Sequence, residues 1–382
     1  MSDLNSSKKT TLSTAEKRFY HRHLIMPEIG WRGQERLKQA RVLVVGAGGL
    51  GAPLLQYLAA AGVGTIGIVD HDVVDVSNLH RQVLYRFDDV GKRKAEVARE
   101  RLLALNPHLR IEIHTERLTS ANALEIIPRY DIIADGTDNF PTRYLVNDAC
   151  VLSGRVNVYA SIFRFEGQVA VFNAPLPAGE RSANYRDLYP TPPPPEAIPN
   201  CAESGVLGVL PGIVGSLQAN EVIKLITGVG EALVGKLLLF DAKDNQMQVI
   251  QTPMTSQATI DRLVDYDLFC NNHLNSNIQH ISAEKLYALL REKADIQLID
   301  VREPHEHEVF NLGGELIPLR EITQFSKRIA TGKTVVLYCQ SGQRSQRAIS
   351  VLAREINCEK VYNLEGGVEA CLRYKQEWHI IP

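Results

Sequence analysis

The chain has 382 residues, 45% hydrophobic and 23% charged, with a formal net charge of −2. That length favours two domains over a single core. The near-neutral balance excludes a polybasic nucleic-acid binder or membrane-surface protein. The N-terminal MSDLNSSKKTTLST is polar and lacks the apolar stretch of a secretory signal.

Val42 to Val69 carries no charged residue, a length that could span a bilayer. However, Gly46, Gly48, Gly49, Gly51, Pro53, Gly62, Gly64 and Gly67 interrupt it, so it reads as strand, tight turn, helix and second strand. RVLVVGAGG and TIGIVD supply the strands. GKRKAEVARERLLALN, 91 to 106, is a charged amphipathic helix, and YDIIADGTDN, 130 to 139, is a buried strand ending in a polar loop. This alternation predicts a mainly parallel sheet with right-handed crossovers.

From Asn173 to Asn200 the pattern gives way to a proline-rich stretch, NAPLPAGERSANYRDLYPTPPPPEAIPN, predicted as a long exposed loop. Helical spacing returns over GIVGSLQANEVIKLITG, 212 to 228. Residues 254–277 are polar and aperiodic and read as a linker. A second α/β alternation follows over 278–382, with IQLIDV, TVVLYC and KVYNL as strands and SQRAISVLAREI as a helix. The expected organisation is therefore a domain over 1–253, the linker, and a smaller α/β domain. The six cysteines include no C-x-x-C pair, which predicts free thiols in a reducing cytoplasm.

Gly46, Gly48 and Gly51 have G-x-G-x-x-G spacing between a strand and a helix, with Gly49 inside the turn. Such a turn lets backbone approach a phosphate at a helix N-terminus. Asp70 ends the next strand, roughly 20 residues on, where an acid accepts from ribose hydroxyls. Asn78, Arg81 and Gln82 follow in SNLHRQ, and Lys94 stands at a helix start. Hydride transfer needs no such cations, whereas adenylyl transfer releases pyrophosphate and does. Asp138, at the end of a strand, suits Mg²⁺ bridging phosphates.

Together GAGGLG, VDHDVVDVSNLHRQ, GKRKAEVA, ADGTDN and GIVGSLQANEVIKLITG resemble the adenylating family of MoeB and ThiF, over residues 15–253. The resemblance implies a Rossmann-like domain that uses ATP and Mg²⁺. Its substrate would be the terminal glycine of a ubiquitin-like sulfur carrier of the MoaD/ThiS type, ending in Gly-Gly. It assigns phosphate to Gly46, Gly48, Gly49 and Gly51, ribose to Asp70, and the nucleotide site also to Asn78. Arg81 and Lys94 would stabilise phosphates, and Asp138 would be the Mg²⁺-linked acid. RFYHRH resembles the family's RYxR element, which makes Arg22 the arginine reaching into a partner subunit and implies a homodimer. Cys201 stands where the family carries a cysteine beside the nucleotide, either as a second thiol or as a structural residue.

Many members bind zinc with two C-x-x-C pairs. The corresponding positions here are Asn184 and Asp187, then Asp267 and Cys270, a poor donor set, so no structural zinc is expected.

Residues 278–382 resemble a rhodanese domain. Asp300, Arg302 and Glu303 match its Asp-x-Arg-Glu element, YCQSGQRS matches its Cys-x-x-Gly-x-Arg-Ser loop, and NLEGGVEAC resembles its Gly-Gly element. A strand-end cysteine whose loop curls into a helix N-terminus has N–H groups aimed at its sulfur. With Arg344 nearby, the loop favours thiolate or persulfide on Cys339. Cys358 and Cys371 lie on no such loop and read as structural.

The two resemblances imply one reaction series. ATP activates the carrier's terminal carboxylate, and a Cys339 persulfide loaded by a cysteine desulfurase attacks the acyl-adenylate. A second thiol, Cys201 being the candidate, releases the thiocarboxylate. Molybdopterin, thiamine and thiolated-tRNA pathways all supply such a carrier. The alternatives are an NAD-dependent oxidoreductase, which leaves Arg81, Lys94 and Asp138 unused, and a tRNA-modifying dehydratase of the same fold, which leaves the second domain unexplained. A non-catalytic scaffold would leave both sets idle.

Overall fold

The computed structural model describes residues 11–193, 205–271, 278–330, 332–353 and 355–373. The chain divides into two compact units, one running to Cys270 and the other continuing from Asn271.

In the first unit β1 (Arg41–Val45), β2 (Thr65–Val69), β3 (Arg110–His114), β4 (Ile132–Asp135) and β5 (Val156–Phe163) pair in parallel in the order β3-β2-β1-β4-β5. β1 and β2 are buried from their second residue on, as strands covered on both faces must be. Val42 and Val44 face the core under helices Gly51–Ala61 and Leu210–Thr227, while Leu43 and Val45 face the core under helix Phe140–Ser153. The chain reverses its winding between β2 and β4 at β1, and the crevice beyond such a switch point is where open α/β sheets bind ligands.

The sheet does not end as a parallel sheet. β6 (Glu166–Phe172), β7 (Lys236–Asp241) and β8 (Gln246–Gln251) continue it antiparallel from β5. The β5–β6 hairpin turns through Arg164, a non-glycine residue at φ 53°. Nothing in its sequence announces that turn.

Two expectations need correction. The stretch from Asn173 is not simply an exposed loop, because Asn173, Ala174 and Ser182 to Tyr185 are buried. Asn173 Nδ2 donates to the carbonyls of Cys150 and Arg155 at 3.0 and 2.7 Å, and a short helix, Tyr185–Leu188, is capped by Asn184. Residues 254–270 likewise pack on the first unit instead of linking it onward. The backbone N–H groups of Gln257 and Ala258 both donate to Asp187 at 2.8 Å, and Tyr266 donates its hydroxyl to buried Asp148 at 2.6 Å. A polar, aperiodic segment can be ordered by such long-range bonds, which composition does not reveal.

The second unit is a parallel sheet of β9 (Gln279–Ile281), β10 (Ile296–Asp300), β11 (Glu315–Leu316), β12 (Thr334–Tyr338) and β13 (Val361–Leu364), ordered β11-β10-β12-β13-β9. β12 is central and Val335 to Tyr338 are fully buried, so its C-terminal end carries Cys339 to the sheet's edge of loops. Among the described residues no helix is long and apolar enough to cross a membrane.

Candidate functional site

The turn after β1 and the turn after β4 abut. Gly46 has φ 92°, and a β-carbon there would lie 3.0 Å from the Gly136 carbonyl. Gly51 serves packing: its β-carbon would sit 2.0 Å from the Gly46 carbonyl, which brings the helix tight against the turn. Gly46, Gly48 and Gly49 line a cavity together with Asp70, Arg81, Lys94 and Asp138, whereas Gly51 and Asn78 are not on its wall. Asn78 instead closes the turn Val76–Asn78, accepting from the Asp75 N–H at 3.3 Å.

Asp70 clamps this turn. Its two oxygens accept from the N–H groups of Ala47 and Asp72 at 2.8 and 2.9 Å, and Tyr85 donates to the Ala47 carbonyl at 2.7 Å. Burial pushes the Asp70 carboxyl above its ordinary range, against the pull of Lys94. Each carboxylate oxygen keeps a lone pair for a further donor. Lys94 is buried and its ammonium is held at 3.0 Å by Asp72, a partner that the sequence reading missed. Its signal was the Asp-x-Asp spacing of Asp70 and Asp72. Arg81 donates to the Ser77 carbonyl at 2.9 Å.

Across the cavity Asp138 is exposed on the wall, and Asn139 caps helix Phe140–Ser153 by accepting from the Thr142 N–H at 3.0 Å. The same wall holds Arg143, one turn into that helix, which the sequence reading also missed. Arg22 is exposed on helix His21–Leu24 and does not line this cavity within its own chain. Cys201 lies outside the described residues.

In the second unit the Gly342 N–H and the Ser345 hydroxyl donate to Cys339 Sγ at 3.2 and 3.5 Å. Gly342 stands at φ 88° and caps helix Gln343–Leu352, whose positive end therefore meets the sulfur. The carbonyls of Cys339 and Gln340 are taken by the N–H groups of Val368 and Glu369 at 2.9 and 3.0 Å. Asp300 and Arg302 are a buried ion pair at 2.7 Å, and Arg302 also donates to the Phe310 carbonyl at 2.6 Å. Arg302 also reaches the Cys339 loop, its Nη1 donating to Gln340 Oε1 at 3.5 Å. Arg344 makes a two-bond pair with Glu306 at 2.6 and 2.7 Å, while Gly342 and Ser345 donate to the sulfur. The side chain expected to assist the thiolate directly is thus engaged with a carboxylate.

The other described cysteines are buried or half-buried. Burial pushes the thiols of Cys371 and Cys270 up to about 12 and raises those of Cys150 and Cys358, as inert thiols require. Of the four positions aligned with zinc ligands, Asn184 and Asp187 cap and cross-link Tyr185–Leu188, and Asp267 pairs with Arg117 at 3.2 Å.

The glycine turn with its cations and acid defines a nucleotide-binding α/β unit, and the Cys339 loop defines a thiol site in a second unit. The model of the ThiF family matches residues 20–260, and that of the Rhodanese-like domain matches 282–373. The chain belongs to the ThiF family and carries a rhodanese-like domain; it is an adenylyltransferase and sulfurtransferase. It is 47% identical over 378 residues to a probable adenylyltransferase/sulfurtransferase MoeZ of Mycobacterium tuberculosis, covering 96% of this chain and 95% of that one. It is 56% identical over 258 residues to the sulfur carrier protein adenylyltransferase of Thermus thermophilus, covering 66% and 95%. It is 39% identical over 388 residues to the adenylyltransferase and sulfurtransferase MOCS3 of Drosophila ananassae, covering 94% and 84%. Its fold is similar to that of E. coli MccB solved with ATP, at TM-score 0.52 and 24% identity over 60% of this chain and 68% of that one. It is also similar to the fold of PaaA, at TM-score 0.54 and 24% identity over 65% and 77%. The family and its second domain select adenylation with sulfur transfer over the hydride-transfer alternative.

Proposed function

We propose that the chain uses ATP and Mg²⁺ to adenylate the C-terminal glycine of a ubiquitin-like sulfur carrier ending in Gly-Gly, then delivers sulfur to it from Cys339. The observation that carries this reading is the meeting of Arg81, Lys94 and Asp138 with the glycine turn and Asp70 in one cavity. Two cations and an acid around a phosphate-sized turn suit release of pyrophosphate. Asp138, an exposed carboxylate on that wall, would hold Mg²⁺ through the phosphates, and the ion would neutralise charge developing there.

The carrier's carboxylate oxygen bonds to the α-phosphorus as pyrophosphate leaves. The outer sulfur of a Cys339 persulfide then bonds to the activated carbonyl carbon as AMP leaves, giving an acyl disulfide. A thiol, Cys201 being the candidate, cleaves the S–S bond, releases the thiocarboxylate and becomes disulfide-linked to Cys339. A cysteine desulfurase supplies the sulfur, the chain acts as a homodimer in which Arg22 completes the partner's site, and the setting is cytoplasmic. The hydrogen bonds to Cys339 Sγ support its role, because they stabilise negative charge on sulfur.

Cys339→Ala tests this reading. It keeps carrier-dependent ATP–pyrophosphate exchange and abolishes thiocarboxylate formation. Full thiocarboxylation by that variant, with persulfide as sole sulfur source, overturns it.

A further inference from the structure

Arg143 is a buried cation on the cavity wall with no task in the scheme above. It lines the cavity while only 7% exposed. Its Nη2 donates to the Thr137 carbonyl at 3.3 Å, and the rings of Phe140 and Tyr159 each lie 5.3 Å from its guanidinium carbon. These contacts fix the plane of the group.

Other arginines are spent on buried carboxylates, Arg302 on Asp300 at 2.7 Å, Arg186 on Asp148 at 2.6 Å and Arg101 on Asp89 at 3.0 Å. Arg143 has no such ion pair among the described residues, and its Nε is buried without an acceptor. Asp135, fully buried on the preceding strand, leaves Oδ2 without a donor. The guanidinium is therefore held in place by Thr137, the two rings and a hydrogen bond with Tyr185, with the Asp135 carboxyl nearby, while its buried Nε–H still lacks the acceptor that a ligand would supply.

Its position selects the ligand. Asp70 directly follows β2 and Arg143 stacks on Tyr159 of β5, so the order β2-β1-β4-β5 places them on opposite flanks of the glycine turn. With ribose at Asp70 and phosphates over the turn, the flank beyond β4 is left for the acceptor. Ile162 and Val206 also line the cavity and make part of its wall apolar, which suits a side-chain-free glycine terminus. A planar fork of N–H donors matches a carboxylate.

We propose that Arg143 receives the terminal carboxylate of the incoming polypeptide and aims one of its oxygens at the α-phosphorus of ATP. This rests on the adenylation reading above. The carboxylate oxygen supplies the electron pair of the new O–P bond, the bond from the α-phosphorus to the bridging oxygen breaks, and pyrophosphate leaves with that pair. The guanidinium stays protonated throughout.

The test uses the full chain, a non-hydrolysable ATP analogue, and a Gly-Gly-ending carrier of the host prepared with a free C-terminal carboxylate or as the C-terminal amide. Calorimetry gives the affinity of each form. The wild-type chain is expected to prefer the carboxylate by on the order of tenfold or more, the worth of a charge-assisted hydrogen bond. Arg143→Met reduces that preference to about onefold while leaving analogue affinity within about threefold, and Arg143→Lys, which keeps charge but loses the fork, restores part of it. An unchanged preference in Arg143→Met overturns the proposal, as does an equal loss of analogue affinity, which would assign Arg143 to ATP or to the fold. If Arg143→Met does not fold, Arg143→Lys decides: a carrier KM raised about tenfold with an unchanged ATP KM supports the assignment, and equal changes in both overturn it. A wild-type chain that binds neither form overturns the carrier reading itself, and this proposal with it.

Discussion

Gly367 and Cys339 are in backbone contact: a β-carbon on Gly367 would lie 2.3 Å from the Cys339 carbonyl oxygen and 2.6 Å from that of Gln340. Gly367 also sits at φ 56°, in the left-handed region. The Gly-Gly element is therefore the floor under the reactive loop.

Gly367→Ala should accordingly displace that loop. Strain at a left-handed position together with the clash costs about 2 kcal/mol or more. The expected outcome is a lower unfolding midpoint for the second unit and loss of persulfide loading on Cys339, measured by intact-protein mass spectrometry. Carrier-dependent pyrophosphate exchange should be unchanged. Normal loading would show that the loop tolerates the shift.

Lys94→Met and Asp138→Asn each remove a charge from the first unit's cavity. Each should lower pyrophosphate exchange by about 10²- to 10³-fold, the usual effect of deleting one preorganised electrostatic group. Circular dichroism should show both variants folded. Exchange within about threefold of wild type would remove these residues from the phosphate site.

Asp135 gives a pH prediction. Burial raises its carboxyl above the ordinary range despite the nearby Arg143. The folded state then binds this proton more tightly than the unfolded chain, so the group's contribution to stability falls as pH rises from the ordinary carboxylate range through the raised folded value. Asn would keep the acceptor that takes the Thr137 N–H and hydroxyl at 3.0 and 2.6 Å. The stability of Asp135→Asn relative to wild type should therefore increase with pH, read from urea midpoints between about pH 4 and 8. A pH-independent difference would contradict the shift.

Asp148 anchors the segment that follows the antiparallel strands. It accepts from Arg186 at 2.8 and 2.6 Å and from Tyr266 at 2.6 Å while 1% exposed. Asp148→Ala strands the Arg186 cation and should destabilise the first unit by about 3–5 kcal/mol. Limited proteolysis should then open the 254–270 segment first. A loss below about 1 kcal/mol would mean that the pair is replaceable by water.

The sequence by itself determined the two α/β units, the parallel core strands and the glycine turn, and it singled out Asp70, Arg81, Lys94 and Asp138, which share one cavity, and Cys339, which ends a central strand. These were legible because each sits at a strand end, a turn or a helix start, where a few adjacent residues dictate both backbone and exposure. Tertiary structure alone decided that Gly51 packs instead of lining the cavity, that Arg344 pairs with Glu306, and that Arg143 joins the wall. It also decided the antiparallel strands β6 to β8 and the packing of 254–270. The physical reason is common to all of them. Each depends on contacts between residues far apart in the chain, such as Asp148 with Tyr266 or Gly367 with Cys339, and local pattern carries no record of which distant group will fill a space or take a hydrogen bond.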